Sequence, residues 1–174
     1  MEKTIHQIWL GPKPFPEKFK PWQESWQIHF PDWKYKLWTD DEVEALMPEM
    51  ISADIFSRAS NFGMKSDLLR LEILRLHGGM YFDADFECFR RFDFLPADCF
   101  CYADERSHRP GNAFLAAPKG HPFLAAALTG FCNALSTPGA FDRDPVKATG
   151  PEALHRALQP WGDPWVISDE ILDR

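Results

Sequence analysis

Long apolar runs are missing from this chain of 174 residues. The longest, Phe123 to Leu128, falls far short of the ~20 residues that a bilayer-spanning helix needs, so no membrane span is expected. Residues Met1 to His6 lack the charged and apolar regions of a secretory signal. Cysteine is scarce: Cys88, Cys99, Cys101 and Cys132 form no CxxC and no metal-finger spacing, which predicts reduced, mostly buried thiols in a cytoplasmic protein. Positive charge is in deficit, with 19 Lys and Arg against 26 Asp and Glu and a net charge of −7. Nucleic acid is thereby excluded as a partner, because binding it relies on neutralising phosphates with basic side chains. A phosphorylated ligand would call for a metal cation. Repeats, low-complexity tracts and linkers are absent as well, so residues 1–174 read as a single compact domain.

Aromatic residues, by contrast, are abundant: 15 phenylalanines and 7 tryptophans in a chain of ordinary globular composition. Thr4 to Leu10 reads as a buried strand, stopped by Gly11 and the prolines at 12, 14 and 16. Trp22, Trp26 and His29 or Phe30 recur at helical spacing, and Trp33 to Trp38 alternates as a strand. Thr39, Asp40 and Asp41 offer N-caps for a short helix through Met47. The strongest helix signal is Lys65 to His77, with Leu69, Ile73 and Leu76 on one stripe and Gly78 as its stop. Met80 to Phe82 is a short strand that runs into Asp83-Ala84-Asp85. Further strands are predicted at Cys99–Ala103, Asn112–Ala116 and Trp165–Ile167, and helices at Pro122–Leu135 and Pro151–Leu158. This alternation favours an α/β layered fold, with the strand order left open.

Asp83-Ala84-Asp85 is the sharpest local feature. On an extended strand both carboxylates would point to one side, their Cα atoms roughly 6.6 Å apart. Like charges that close call for a cation, a proton or solvent between them. Mg²⁺ or Mn²⁺ suits such a pair, since these ions take one or two carboxylates and fill the rest of their shell with phosphate oxygens and water. A solvated turn with two surface acids would look the same in the tripeptide. The surroundings favour a site: Gly78-Gly79 lets the backbone leave the helix sharply, and Asp67 and Arg70 share a helix face that continues to Leu74 and His77. Glu72 and Arg75 repeat the spacing and read as a surface ion pair. Acidity is also concentrated locally, with seven acids against two arginines between Asp83 and Glu105.

Lys65-Ser66-Asp67-Leu68-Leu69-Arg70 followed by Gly78-Gly79-Met80-Tyr81-Phe82-Asp83-Ala84-Asp85 closely resembles the signature of DxD-containing glycosyltransferases of the family 32 type. That group includes yeast mannosyltransferases and bacterial capsular polysaccharide enzymes and is related to the clostridial glucosylating toxins. Ile5-His6-Gln7-Ile8-Trp9-Leu10-Gly11 resembles the family's opening strand, and Pro31-Asp32-Trp33 to Leu37-Trp38 its second. Asn112-Ala113-Phe114, Gly120-His121-Pro122-Phe123 and Thr149-Gly150-Pro151 resemble later landmarks. Together these cover residues 4 to about 155, in order.

The resemblance implies a GT-A fold, a Rossmann-like mixed sheet flanked by helices. It implies Asp83 and Asp85 as holders of Mn²⁺ or Mg²⁺ against the diphosphate of a nucleotide-sugar. Asp67 and Arg70 would contact the donor sugar. Trp9 matches an aromatic that stacks on the base, or it is a core tryptophan. Tyr81 matches an aromatic near the ribose, or it too is packing. Asn112 could present its amide to donor or acceptor, or serve a strand-start hydrogen bond. Glu87 is read as supporting rather than catalytic. His121 is expected to order a turn, and Thr149-Gly150-Pro151-Glu152 has the form of a capping box. Trp22, Trp26, Trp33 and Trp38 are expected mostly in the core, with one able to form a sugar platform.

The function implied is metal-dependent, retaining transfer of a hexose from a UDP- or GDP-sugar to a glycan or protein hydroxyl. Family members extend beyond the equivalent of residue 174, and their later part commonly adds a metal or diphosphate contact. Trp161 and Trp165, the late aromatics, sit in no matching pattern. The sequence therefore reads as a catalytic domain short at its C-terminus, which a partner chain or oligomer could complete. A non-catalytic module that kept the donor site is the alternative. An aspartyl phosphohydrolase, whose motif also reads DxD, fits poorly with Phe86-Glu87 and the short Met80-Tyr81-Phe82 strand.

Overall fold

Strands β1 (Thr4–Ile8), β2 (Lys34–Trp38) and β3 (Gly79–Phe82) form a parallel half-sheet, with β1 between the other two. The computed structural model describes residues 1–92, 95–98, 100–105, 109–137, 139, 145–161 and 165–168. Beyond β3 the direction reverses. Strand β4 (Cys101–Glu105) and strand β5 (Arg109–Ala117) pair antiparallel with each other, and β5 also lies antiparallel to β3. Strand β6 (Trp165–Ser168) adds in parallel to β4, giving the order β2-β1-β3-β5-β4-β6. This is the mixed sheet expected, in an order that the sequence left open.

Helices cover both faces: α1 (Lys20–His29), α2 (Asp40–Leu46), α3 (Ala53–Arg58), α4 (Phe62–His77), α5 (Pro122–Leu135), α6 (Pro145–Ala148) and α7 (Pro151–Leu158). Strand periodicity divides the apolar residues between two cores. Tyr81 and Leu115 enter the larger one with Leu68, Leu69 and Leu124; Met80, Phe82 and Phe114 enter the other with Trp26 and Phe30. Trp26 and Trp38 are therefore core residues, as expected. Among the described residues, no helix is long and apolar enough to cross a membrane. Cys88 is buried and Cys132 half-buried, both free; Cys99 lies outside the described residues.

α5, α7 and the last strand lie where the sequence places them. α4 starts earlier, at Phe62 rather than Lys65, because the Asn61 side chain accepts from the backbone N–H groups of Gly63 and Met64 at 2.8 and 3.2 Å. Its end is set by two left-handed glycines, Gly78 at φ +65° and Gly79 at φ +100°. A Cβ on Gly79 would come within 2.4 Å of the Thr4 carbonyl oxygen, so β3 can lie against β1 only with glycine there. The sequence pattern does not announce α3 or α6. Both are short, and neither carries a full apolar stripe.

Candidate functional site

β3 leaves the end of α4 and runs back along it, so Asp83 arrives beside the middle of the helix. His77, which the shared-face reading places near the acidic turn, lies elsewhere: its ring neighbours are His6 and Trp38. Arg70 is the centre of the site. Its Nη2 lies 3.1 Å from Asp67 Oδ1 and its Nη1 3.2 Å from Asp83 Oδ1. It also donates to the carbonyl oxygens of Ser66 and Asn112, and its guanidinium sits over the Tyr81 ring, 4.7 Å from the centroid. The planar fork of an arginine suits so many acceptors, where an ammonium would not. Far from forming an exposed surface pair, Asp67 and Arg70 are 9% and 6% exposed.

Asp67 is held from three sides. Besides Arg70, the Asn112 amide donates to Oδ1 at 2.7 Å and the Thr149 hydroxyl to Oδ2 at 3.0 Å. Burial pushes the Asp67 carboxyl pKa up, and Arg70, Thr149 and Asn112 pull against it. For Arg70 burial works against the charge, but the neighbouring Tyr81, Asp83 and Asp67 outweigh it and hold the pKa up. Burial likewise raises the Tyr81 hydroxyl, which stays protonated and donates to Asp83 Oδ1 at 2.6 Å.

Asp83 and Asp85 do not sit on an extended strand. The Asp83 N–H still bonds to the Ala113 carbonyl at 2.8 Å, but the Phe86 N–H closes back on the Asp83 carbonyl at 3.1 Å. The motif is thus a β-turn with Asp85 at its third position, and the same-side spacing of a strand does not apply. The turn divides the two acids. Asp83 is partly buried and engaged by Tyr81 and Arg70, whereas Asp85 is exposed and has no hydrogen-bonding or ion-pairing partner among the described residues. Asp85 and the second oxygen of Asp83 are the donors that could hold a divalent ion. This suits Mg²⁺ or Mn²⁺, which accept few protein carboxylates. No group of three or more His, Cys, Asp or Glu side chains converges as a metal centre among the described residues.

The remaining candidates divide. Tyr81 is 2% exposed and supports Asp83, so no face of it is open for stacking. Trp9 is half-buried at the end of β1, edge-on to Phe15 and Phe19, with its indole N–H donating to the Lys13 carbonyl at 2.8 Å. Asn112 spends its amide on Asp67. Glu87 is exposed. His121 orders a turn as expected, its Nδ1 accepting from the Phe123 N–H at the start of α5. Thr149 makes no capping box: Gly150 is the N-cap of α7, and the Thr149 hydroxyl goes to Asp67 instead. Glu72 and Arg75 do pair, at 2.8 Å, but Glu72 is fully buried. Two participants escape the sequence reading. Thr149 looks like a cap because its partner is distant in sequence, and Gln7, whose amide reaches the Asp83 carbonyl, is hidden inside an apolar strand.

A family model described as "Glycosyltransferase sugar-binding region containing DXD motif" matches residues 16–101. This stretch belongs to the DXD glycosyltransferase family. The match spans Asp67, Arg70, Tyr81, Asp83 and Asp85; Trp9, Asn112 and Thr149 lie outside it. The chain is 30% identical over 132 residues to inositol phosphoceramide mannosyltransferase 1 of Schizosaccharomyces pombe, covering 72% of this chain and 41% of that protein. It is 33% identical over 130 residues to inositol phosphoceramide mannosyltransferase 3 of the same organism, covering 70% and 35%. The chain thus spans less than half the length of these relatives. Among solved structures, the UDP-bound glycosyltransferase domain of the YGT toxin superposes with a TM-score of 0.80 at 12% identity, covering 96% of this chain and 79% of that one. The PaToxG glycosyltransferase gives 0.72 at 20% identity, covering 92% and 69%. These likenesses establish the GT-A-type fold.

Proposed function

We propose that this chain is a glycosyltransferase domain that binds a nucleotide-sugar at the Asp83 turn and transfers the hexose, with retention, to a glycan or protein hydroxyl. One observation carries this reading: a buried guanidinium, Arg70, joins a helix carboxylate to the first acid of a β-turn whose second acid is exposed and uncommitted. Asp83 and Asp85 would hold Mn²⁺ or Mg²⁺, which when bound offsets the charge of the departing diphosphate. Arg70, kept protonated, supplies fixed positive charge beside it. Asp67, engaged by three donors, holds Arg70 in place beside Asp83. No protein nucleophile is assigned, because front-face substitution assisted by the leaving phosphate needs none. A further diphosphate contact would come from residues beyond those described or from a partner chain. The relatives' names support mannose as the sugar, and the UDP-bound neighbour supports a nucleoside diphosphate ligand.

A thermal-shift panel of UDP- and GDP-sugars with and without Mn²⁺ tests this, since a ligand bound only by the folded state raises its stability. A stabilisation by one donor that requires Mn²⁺ is expected. Absence of any metal-dependent shift across the panel overturns the reading, and saturable binding without transfer or donor hydrolysis would leave a binding module instead.

A further inference from the structure

Position 7 is where an apolar side chain is expected. β1 is flanked by strands on both sides, and Gln7 within it is 0% exposed. A buried amide costs more than a leucine of similar volume unless both of its ends are bonded. Both are. Gln7 Nε2 donates to the Asp83 carbonyl oxygen at 3.1 Å, and Gln7 Oε1 accepts from the Tyr35 hydroxyl at 2.5 Å. Tyr35 lies on the neighbouring β2, and burial pushes its hydroxyl pKa up, so it remains a donor. With a donor fixed on the amide oxygen, the nitrogen must face Asp83; the opposite orientation would set two oxygens against each other.

The Asp83 carbonyl that receives this bond is also the one that closes the turn by accepting the Phe86 N–H. Both of its lone pairs are then used, and the plane of that peptide is fixed from the sheet side. The direction in which the Asp83 and Asp85 side chains leave the backbone follows from that plane. We propose that Gln7, held by Tyr35, is a positioning residue for the acidic turn: it touches no ligand, and it sets the geometry of the two carboxylates through the Asp83 carbonyl. This rests on the donor-site reading of the turn given above.

Two substitutions in the full chain, Gln7→Leu and Tyr35→Phe, test it with two measurements. Amide hydrogen exchange reads the turn without any ligand. In Gln7→Leu, exchange at Phe86 should accelerate about tenfold, the scale of one lost hydrogen bond, while core amides such as Leu69 keep their rates. UDP and GDP affinities with and without Mn²⁺ read the carboxylates. The enhancement by Mn²⁺ should fall about tenfold in Gln7→Leu and about threefold in Tyr35→Phe, with the metal-free affinity unchanged. If Gln7→Leu does not fold, Tyr35→Phe carries both measurements. Unchanged exchange at Phe86, or uniform acceleration across the chain, overturns the proposal. So does full Mn²⁺ enhancement in the variants when the unmodified chain shows it. If the unmodified chain itself shows no enhancement with either nucleotide, the donor-site reading falls and this inference falls with it.

Discussion

Asp67–Arg70 and Glu72–Arg75 have the same three-residue spacing on one helix, α4, and face different parts of the molecule. Asp67 and Arg70 point towards the end of β3 and gather groups from β5 and from the segment just before α7. Glu72 and Arg75 point towards the α2–α3 connection. There Glu72 accepts from the backbone N–H and hydroxyl of Ser52 at 2.7 and 2.9 Å, and Arg75 donates to the Glu49 carbonyl. Both acids of these pairs are buried, so burial of the carboxylate does not distinguish a site from a staple. The partners do. Glu72–Arg75 consumes every contact within the scaffold, whereas Asp67–Arg70 ends on a carboxylate, Asp83, that is one-third exposed at the surface.

Replacing Arg70 should separate the two sides of the helix most strongly. Arg70→Met leaves Asp67 buried without its cation, a loss on the order of 3–5 kcal/mol in urea denaturation at pH 7. The penalty should shrink as pH falls, because an orphaned acid with a raised pKa is stable when protonated and becomes costly as pH rises through that pKa. Nucleotide affinity should fall at least about 100-fold. If affinity survives, the two pairs are alike and both are scaffold.

Glu72→Ala should cost roughly 3 kcal/mol by the same measurement, since it strands Arg75 and the Ser52 N–H together. It should leave nucleotide affinity within about twofold once the protein is folded. A binding loss as large as that of Arg70→Met would erase the distinction.

The smallest effect tests the opposite end of α4. His6 is 1% exposed, with Nε2 against the Gly78 carbonyl at 2.9 Å and Nδ1 accepting from the Trp38 indole at 3.1 Å. Burial lowers its pKa from 6.5 to about 4. Its neutral form therefore contributes stability above pH 6.5 that is lost as pH falls through about 4. A His6→Gln variant should lose less stability than the unmodified chain over that range, by at most ~3 kcal/mol. Parallel pH curves would show that the ring is no such clamp.

Much of this is legible in the sequence wherever the cause is local. α5 begins at a proline, α4 ends at Gly78-Gly79, and β3 alternates between two cores; each follows from neighbours in the chain. The acidic motif and the Asp67–Arg70 spacing are equally visible. What escapes depends on partners far away. Thr149 reads as a cap until Asp67 claims its hydroxyl, and Glu72 reads as a surface acid until Ser52 covers it. Gln7 offers one signal, an amide within an apolar strand, whose meaning depends on Tyr35 and Asp83. The turn at Asp83 departs from the expected strand geometry because the extended spacing holds only as far as the end of β3.

The bond between Thr149 and Asp67 has a further meaning in the order of folding. It joins residues 82 apart in the chain, and the Gln7–Asp83 bond joins residues 76 apart. Helix α4 and the glycine corner into β3, in contrast, are local and can form early. While the chain is incomplete, Asp67 keeps water as its partner and its burial costs nothing. The carboxylate is sealed only when the segment before α7 arrives, so the donor pocket should be among the last parts of the molecule to close.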